Sequence, residues 1–153
     1  MRQILLILIG ITIVTQADRF TKDGDIVTDT QTNLQWQNEL YTQAEEDAYN
    51  DNSETGKVLY WQSAIDYCEA LTLGGKEDWR LPNFNELYYI ADRSISEPAI
   101  DTIFNLPSDL GISYYWSATT NASNSDYAWS VYIEYGVDVS YDKGNSCFVR
   151  CVR

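Results

Sequence analysis

The chain contains no histidine, so its main candidates for chemistry are three cysteines and 23 acidic residues. Histidine is the commonest general base near neutral pH and the commonest transition-metal ligand in proteins. The acidic residues are spread along the chain, and their spacing singles out no pair for acid-base catalysis. We therefore predict no catalytic residues, no cofactor and no transition-metal site.

Cys68 and Cys151 are the best candidates for a disulfide bond. An amphipathic helix is predicted over Trp61–Thr72, where Cys68 lies on the apolar face, and Cys151 lies in the predicted last strand. A bond between them would close a loop of about 80 residues and contribute roughly 4–5 kcal/mol on a chain-entropy argument. Two cysteines four residues apart in one strand would have Cα atoms roughly 13 Å apart, beyond the limit of about 7 Å for a disulfide. Cys147 is therefore left over, either as a buried free thiol or as a link to a second chain.

The candidate ligand contacts lie in the predicted loop from Thr119 to Tyr127. This loop joins two predicted strands, so its ends are held while its middle is free, as in many binding loops. Its amide and carboxylate side chains can bond to a sugar hydroxyl or to a peptide. We select Asn121, Asn124, Asp126 and Tyr127 as the ligand-binding residues.

The hydrophobic pattern predicts an α+β fold, with two helices packed on an antiparallel sheet. The second helix begins after Asn83, which forms a capping-box motif with Glu86, and ends near Asp92 or Arg93. The acidic segment Asn38–Lys57 is predicted to be solvated and disordered, with at most a short helical turn. Two short strands are expected within residues 18–37, and all five tryptophans are expected in the core. Four late strands are predicted over Tyr114–Ala118, Tyr127–Glu134, Val137–Tyr141 and Ser146–Val152.

The first 17 residues have the pattern of a secretory signal peptide. Arg2 precedes the apolar run Ile4–Val14, and small residues lead to a cleavage point after Ala17. The run is too short for a comfortable membrane span, which needs about 20 apolar residues. We predict one domain over residues 18–153, secreted, periplasmic or at the cell surface, with no membrane span after cleavage.

The charge of the chain restricts its partners. The formal net charge is −13, and it becomes −14 once Arg2 is removed. Such an acidic surface disfavours nucleic acid, anionic lipid and sulfated polysaccharides as general partners. We therefore expect a neutral or basic glycan or protein ligand and no nucleic acid.

A set of short motifs follows in order along the chain. It comprises Arg19-Phe20, Asp23-Gly24-Asp25, Leu34-Gln35-Trp36, Asp78-Trp79-Arg80-Leu81-Pro82-Asn83, Tyr115-Trp116-Ser117 and Val149-Arg150-Cys151-Val152-Arg153. With these motifs the chain resembles the C-terminal domain family of the Legionella collagen-like adhesin, a bacterial family within the C-type lectin-like fold. The resemblance implies that fold, with its first and last strands side by side and a long loop region carrying the ligand contacts. It also implies the Cys68–Cys151 bond, which the cysteine positions favour independently.

The function that the resemblance implies is a secreted or surface-exposed binding module, which recognises a glycan or a protein through loop aromatics and amides. One alternative is an enzyme related to the formylglycine-generating oxidases, which are similar in the Arg-Leu-Pro and Arg-Cys segments but use two further cysteines. Another alternative is a structural subunit of a surface assembly.

The usual calcium-dependent sugar motif of C-type lectins is absent, since Ala99 follows Glu97-Pro98 and Ser130 follows Trp129. Hard cations need several oxygen ligands. Calcium bound elsewhere, by Asp23 and Asp25 or by the Asn121–Asp126 loop, stays an alternative.

Overall fold

The computed structural model describes residues 18–108 and 113–153, and the predicted signal peptide lies outside them. Three strands form an N-terminal antiparallel sheet in the order β1-β2-β3: β1 Phe20–Asp23, β2 Ile26–Asp29 and β3 Gln35–Gln37. The sequence predicted only two strands here. It missed β1, where Phe20 alone is buried, because a strand with one buried residue shows no alternation of apolar and polar positions.

Five strands form the second sheet, in the order β4-β8-β5-β6-β7. They are β4 Val58–Leu59, β5 Tyr114–Thr120, β6 Tyr127–Tyr132, β7 Val137–Asp142 and β8 Cys147–Phe148. The expectation of a wholly antiparallel sheet is wrong, since β5 and β8 run parallel. The last strand is also shorter than predicted, because residues beyond Phe148 leave this sheet and bond to other parts of the chain.

Three helices, not two, are described: α1 Gln43–Asn50, α2 Trp61–Ala70 and α3 Phe84–Ile90. The predicted capping box of α3 is confirmed, since Asn83 Oδ1 accepts from the Glu86 N–H at 3.0 Å and Glu86 Oε2 accepts from the Asn83 N–H at 2.9 Å. Arg80 extends this cap with two 2.7 Å hydrogen bonds to the Glu86 carboxylate. Helices and sheets together confirm the α+β class.

The segment Asn38–Lys57, predicted to be solvated, contains α1 and a buried ion pair. Lys57 Nζ lies 3.0 Å from Glu45 Oε1, and the two residues are only 8% and 3% exposed. Glu45 also accepts hydrogen bonds from the backbone N–H groups of Thr42 and Lys57, at 2.7 and 2.6 Å. Burial alone would raise the pKa of Glu45, but these N–H groups and the Lys57 ammonium hold it below its ordinary value.

The C-terminal residues join the N-terminal sheet to the segment before α3. Val152 exchanges two backbone hydrogen bonds with Arg80, at 2.9 and 2.8 Å, while Arg153 does the same with Gln35, at 3.0 and 2.9 Å. The C-terminal segment therefore lies beside β3. The first and last strands were expected to lie side by side. Instead, the C-terminal segment lies beside β3, and the first strand, β1, pairs with β2.

Two hydrophobic clusters form the core. One is built around Trp36, Leu87, Ile90, Tyr115 and Phe148, and the other around Cys68, Trp79, Leu81, Trp116 and Cys151. Trp36, Trp79 and Trp116 are buried as expected, whereas Trp61 and Trp129 are only half-buried. The predicted disulfide is confirmed, with Cys68 and Cys151 bonded and their Cα atoms 5.5 Å apart.

Arg150 is a buried cation, 2% exposed, that carbonyl oxygens hold in place. Its guanidinium donates to the Gln37 carbonyl at 2.7 Å, to Asn38 Oδ1 at 2.9 Å and to the Asn105 carbonyl at 2.5 Å. A planar guanidinium suits this task because it offers several donors in a fixed geometry. Arg150 thus ties β3 and the loop near Asn105 to the C-terminal segment.

Candidate functional site

The predicted ligand-binding residues lie together in a compact turn between β5 and β6. The Asn121 N–H donates to the Tyr127 carbonyl at 2.9 Å, and the Tyr127 N–H donates to the Asn124 carbonyl at 3.1 Å. Asn124 and Asp126 are exposed, while Asn121 and Tyr127 are half-buried. The four residues that the sequence selected therefore lie in or directly beside one turn.

Two of these side chains already hold the turn. Asn121 Oδ1 accepts from the Ser123 N–H at 2.8 Å, and Asn121 Nδ2 donates to Ser140 Oγ on β7 at 2.7 Å. Asn124 Oδ1 accepts from the Asp126 N–H at 3.0 Å. Such side-chain bonds to the backbone two residues on are typical of Asn in tight turns. They fix the shape of the loop, so the Asn124 amide N–H groups and the Asp126 carboxylate point outward from a preformed frame.

A lysine and a tryptophan flank this turn. The Lys143 backbone N–H donates to the Asp126 carbonyl at 2.9 Å, and Lys143 Nζ donates to Thr120 Oγ1 at 2.9 Å. The same ammonium lies 3.7 Å from the ring centroid of Trp61, a cation–π contact. Trp61 is itself fixed, because its indole N–H donates to the Ser117 carbonyl at 2.9 Å. Sequence reasoning assigned Trp61 to the core and missed this position beside the loop.

A second candidate surface is a cleft of about 460 Å³ between the β1–β2 turn and the turn before Trp79. It is lined by Asp23, Gly24, Asp25, Ile26, Gln35, Leu73, Gly74 and Lys76. Gly74 adopts a φ of +61°, and a Cβ there would lie 2.5 Å from Ile26 Cδ1, so this position needs glycine. Asp23-Gly24-Asp25 was predicted as a turn, but no local sequence signal showed that the Leu73–Lys76 turn would face it.

Metal binding has no assembled site in the part of the chain that the structure describes. Within residues 18–108 and 113–153, no group of three or more His, Cys, Asp or Glu side chains could hold a metal ion. The carboxylates of Asp23 and Asp25 line the cleft, and Asp126 lies in the turn. Each proposed calcium position therefore offers fewer than three such side chains within the described residues.

Cysteine chemistry is constrained by the disulfide. Cys68 and Cys151 are bonded to each other, and Cys147, the third cysteine of the chain, is fully buried. Burial raises the pKa of the Cys147 thiol well above its ordinary value, so the nucleophilic thiolate is disfavoured. A link from Cys147 to a second chain would require β8 to leave the sheet.

The described residues contain no helix that is long and apolar enough to cross a membrane. Comparison with curated proteins finds none that matches the chain. Comparison with protein families finds a match to the Lcl C-terminal domain over residues 25–153. This match covers both sheets apart from β1, all three helices, the turn, the disulfide, and the cleft except for Asp23 and Gly24. The chain therefore belongs to the Lcl C-terminal domain family, the family of the Legionella collagen-like protein C-terminal domain.

Proposed function

We propose that this protein is a surface adhesion module with a C-type lectin-like fold, which binds a glycan or protein ligand without transforming it. Two observations support the proposal: membership in a domain family named from a collagen-like adhesin, and the preformed turn at Asn121–Tyr127. The prediction that residues 1–17 direct the chain out of the cytoplasm agrees with such a role.

The ligand-binding part of this proposal depends on the turn. Its backbone is fixed by its own hydrogen bonds and by Lys143, so a ligand would not have to order it on binding. The exposed Asn124 amide offers donors and the Asp126 carboxylate offers acceptors, a combination that suits sugar hydroxyls or peptide groups. The formal charge of −13 favours a neutral or basic ligand.

The oxidase alternative has less support. Redox chemistry of that type uses a pair of thiols, and two of the three cysteines here form the Cys68–Cys151 disulfide. The remaining thiol, Cys147, is buried.

The test is a screen of residues 18–153 against neutral, aminated and sulfated glycans, with calcium and with a chelator. The binding variant is Asn124→Asp combined with Asp126→Ala. Aspartate at 124 keeps an acceptor for the backbone N–H of residue 126, so the turn is retained while the amide donor and the exposed carboxylate are lost. We expect at least about tenfold weaker binding of the best glycan, in line with the loss of two hydrogen bonds.

The matched control is Asp23→Ala combined with Lys76→Ala in the cleft. Both double variants preserve the net charge, so a general electrostatic effect would not separate them. Unchanged affinity in the turn variant together with a loss in the cleft variant would move the binding site to the cleft. Affinity that disappears with the chelator in the unmodified protein would show that calcium participates.

A further inference from the structure

Strand β7 is an edge of the five-stranded sheet. In the order β4-β8-β5-β6-β7 it pairs with β6 through six residues, from Val137 opposite Tyr132 to Asp142 opposite Tyr127. Within the described residues, no strand pairs with its other side. An edge of this kind offers its backbone donors and acceptors to an added strand.

The alternation of antiparallel hydrogen bonding shows which backbone groups point outward. The Lys143 N–H donates to the Asp126 carbonyl, so residue 143 faces β6. Since residues alternate along a strand, 141, 139 and 137 also face β6, while Asp138 and Ser140 direct their N–H and C=O groups away from the sheet. An added strand would bond to these two residues.

The two faces of β7 differ in chemistry. Val137, Val139 and Tyr141 share one face, where the Tyr141 ring lies 5.1 Å from that of Tyr114. The other face carries the exposed Asp138 and the half-buried Asp142. Directly opposite side chains on one face of a sheet interact, so the apolar face would select apolar residues in an added strand and the acidic face would select basic ones.

The charged residues around β7 are either acidic residues or cations that already contact other groups. Lys143 next to the strand bonds to Thr120 and covers Trp61, and Arg93 near the hairpin lies 4.0 Å from the ring centroid of Tyr88. At the hairpin between β6 and β7, the charge of Glu134 raises the pKa of Tyr135. A basic segment would therefore meet Asp138 and Asp142, neither of which forms a salt bridge within the described residues, although Asp142 Oδ1 accepts from the Gly144 N–H at 2.8 Å.

We propose that the β7 edge binds an extended polypeptide segment in which basic and apolar residues alternate, by strand addition to the five-stranded sheet. Its basic residues would face Asp138 and Asp142, and its apolar residues would cover Val137, Val139 and Tyr141. A second copy of this chain fits less well, because its own β7 would bring two further carboxylates to the same edge. This inference is independent of the glycan-binding turn and holds whether or not that turn binds a sugar.

The test uses a capped octapeptide of alternating lysine and valine, titrated into residues 18–153 at low and physiological salt. The comparison peptide replaces two valines by proline, which keeps the charge but prevents continuous strand pairing. We expect the first peptide to bind at least about tenfold more tightly than the second, and we expect slower hydrogen exchange at the Asp138 and Ser140 amides in its presence.

Two variants separate backbone pairing from charge. Asp138→Pro removes an outward N–H and a carboxylate, and we expect it to abolish peptide binding. Asp138→Asn removes only the charge and should weaken binding a few-fold, whereas Asp47→Asn, with the same charge change at an exposed position of α1, should not. Thermal melts check that each variant is folded. If the proline variant does not fold, the hydrogen-exchange measurement on the unmodified protein still tests the proposal.

Three results would overturn the proposal. Equal affinity for the two peptides would show simple charge attraction. Unchanged exchange at Asp138 and Ser140 would exclude strand addition. A concentration-dependent dimer that Asp138→Pro dissociates would show that the edge binds a second copy instead.

Discussion

Two polar regions of this chain look alike in sequence and behave differently in structure. The Asn38–Lys57 segment and the turn at Asn121–Tyr127 are both rich in Asn, Asp and Ser or Glu. In the first, Glu45 is buried against Lys57, twelve residues along the chain. In the second, the Asn121 and Asn124 side chains bond within the turn and to β7, and the acidic Asp126 stays exposed. A polar segment thus becomes part of the core where an acid is paired with a buried cation, and stays at the surface where its amides mainly hold a turn.

The largest expected effect is that of Glu45→Ala. This change would leave the Lys57 ammonium buried without its counterion, which costs about 3–5 kcal/mol in comparable buried pairs. Chemical denaturation should show that loss in the free energy of unfolding. Asp47→Ala on the same helix removes the same charge from an exposed position and should stay within about 0.5 kcal/mol. Equal effects from the two variants would remove the distinction between buried and surface acids.

The second effect is the response to acid. The pKa of Glu45 in the folded protein lies below its ordinary value, although burial acts to raise it. The ionised carboxylate therefore stabilises the fold above the ordinary glutamate pKa of about 4.3, and that stabilisation is lost as the pH falls through the folded value. We expect a shallower loss of stability below pH of about 4 in Glu45→Gln than in the unmodified protein. If the free energy of unfolding fell equally with pH in the variant and the unmodified protein, the acid response would come from other carboxylates, such as Asp29.

A smaller effect is expected in the turn. Asn121→Ala removes the bonds to the Ser123 N–H and to Ser140 Oγ, which should cost about 0.5–1.5 kcal/mol each. Ser125→Ala, at an exposed position of the same turn, provides the control and should be neutral. Hydrogen exchange at the Ser123 amide should accelerate in the first variant alone. If both variants behave alike, the turn is held by its backbone and not by its asparagine.

The smallest expected effect concerns sulfated polymers, where we predict weak or no binding to heparin at physiological salt. The lysines of the two regions are engaged, Lys57 with Glu45 and Lys143 with Trp61 and Thr120. Three arginines at or near the surface are also paired, Arg19 with Asp29, Arg80 with Glu86 and Arg153 with Asp78. Retention on a heparin column that decreases steeply with added salt would reveal a basic surface and contradict this prediction.

Local patterns account for the part of the fold that the sequence predicted correctly. The capping box at Asn83 and Glu86, the apolar face of α2 and the position of Cys68 on it can all be recognised within a few residues. The same kind of signal was present at Thr42 and Glu45, which form a second capping box. The acidic composition around it outweighed that signal, so α1 was missed.

Features that depend on distant contacts could not be predicted in this way. The parallel pairing of β5 with β8 joins Tyr115 to Phe148, and nothing within a two-residue strand specifies its direction. The four turn residues selected as the candidate site are close together in sequence, but the bond from Asn121 to Ser140 of another strand could not be read from their spacing. The cleft depends on two turns that are far apart in sequence, from Asp23 to Lys76.

The C-terminal residues have a consequence for the timing of folding during synthesis. Val152 completes the backbone bonding of Arg80, and Arg153 completes that of Gln35. Likewise, Cys68 can form its disulfide only after Cys151, 83 residues further along the chain, has been made. The N-terminal sheet and α2 are made well before these C-terminal partners. This domain therefore reaches its native arrangement only after Arg153 has been made, and a nascent chain stopped before Arg150 would lack the bonds between the C-terminal segment and β3.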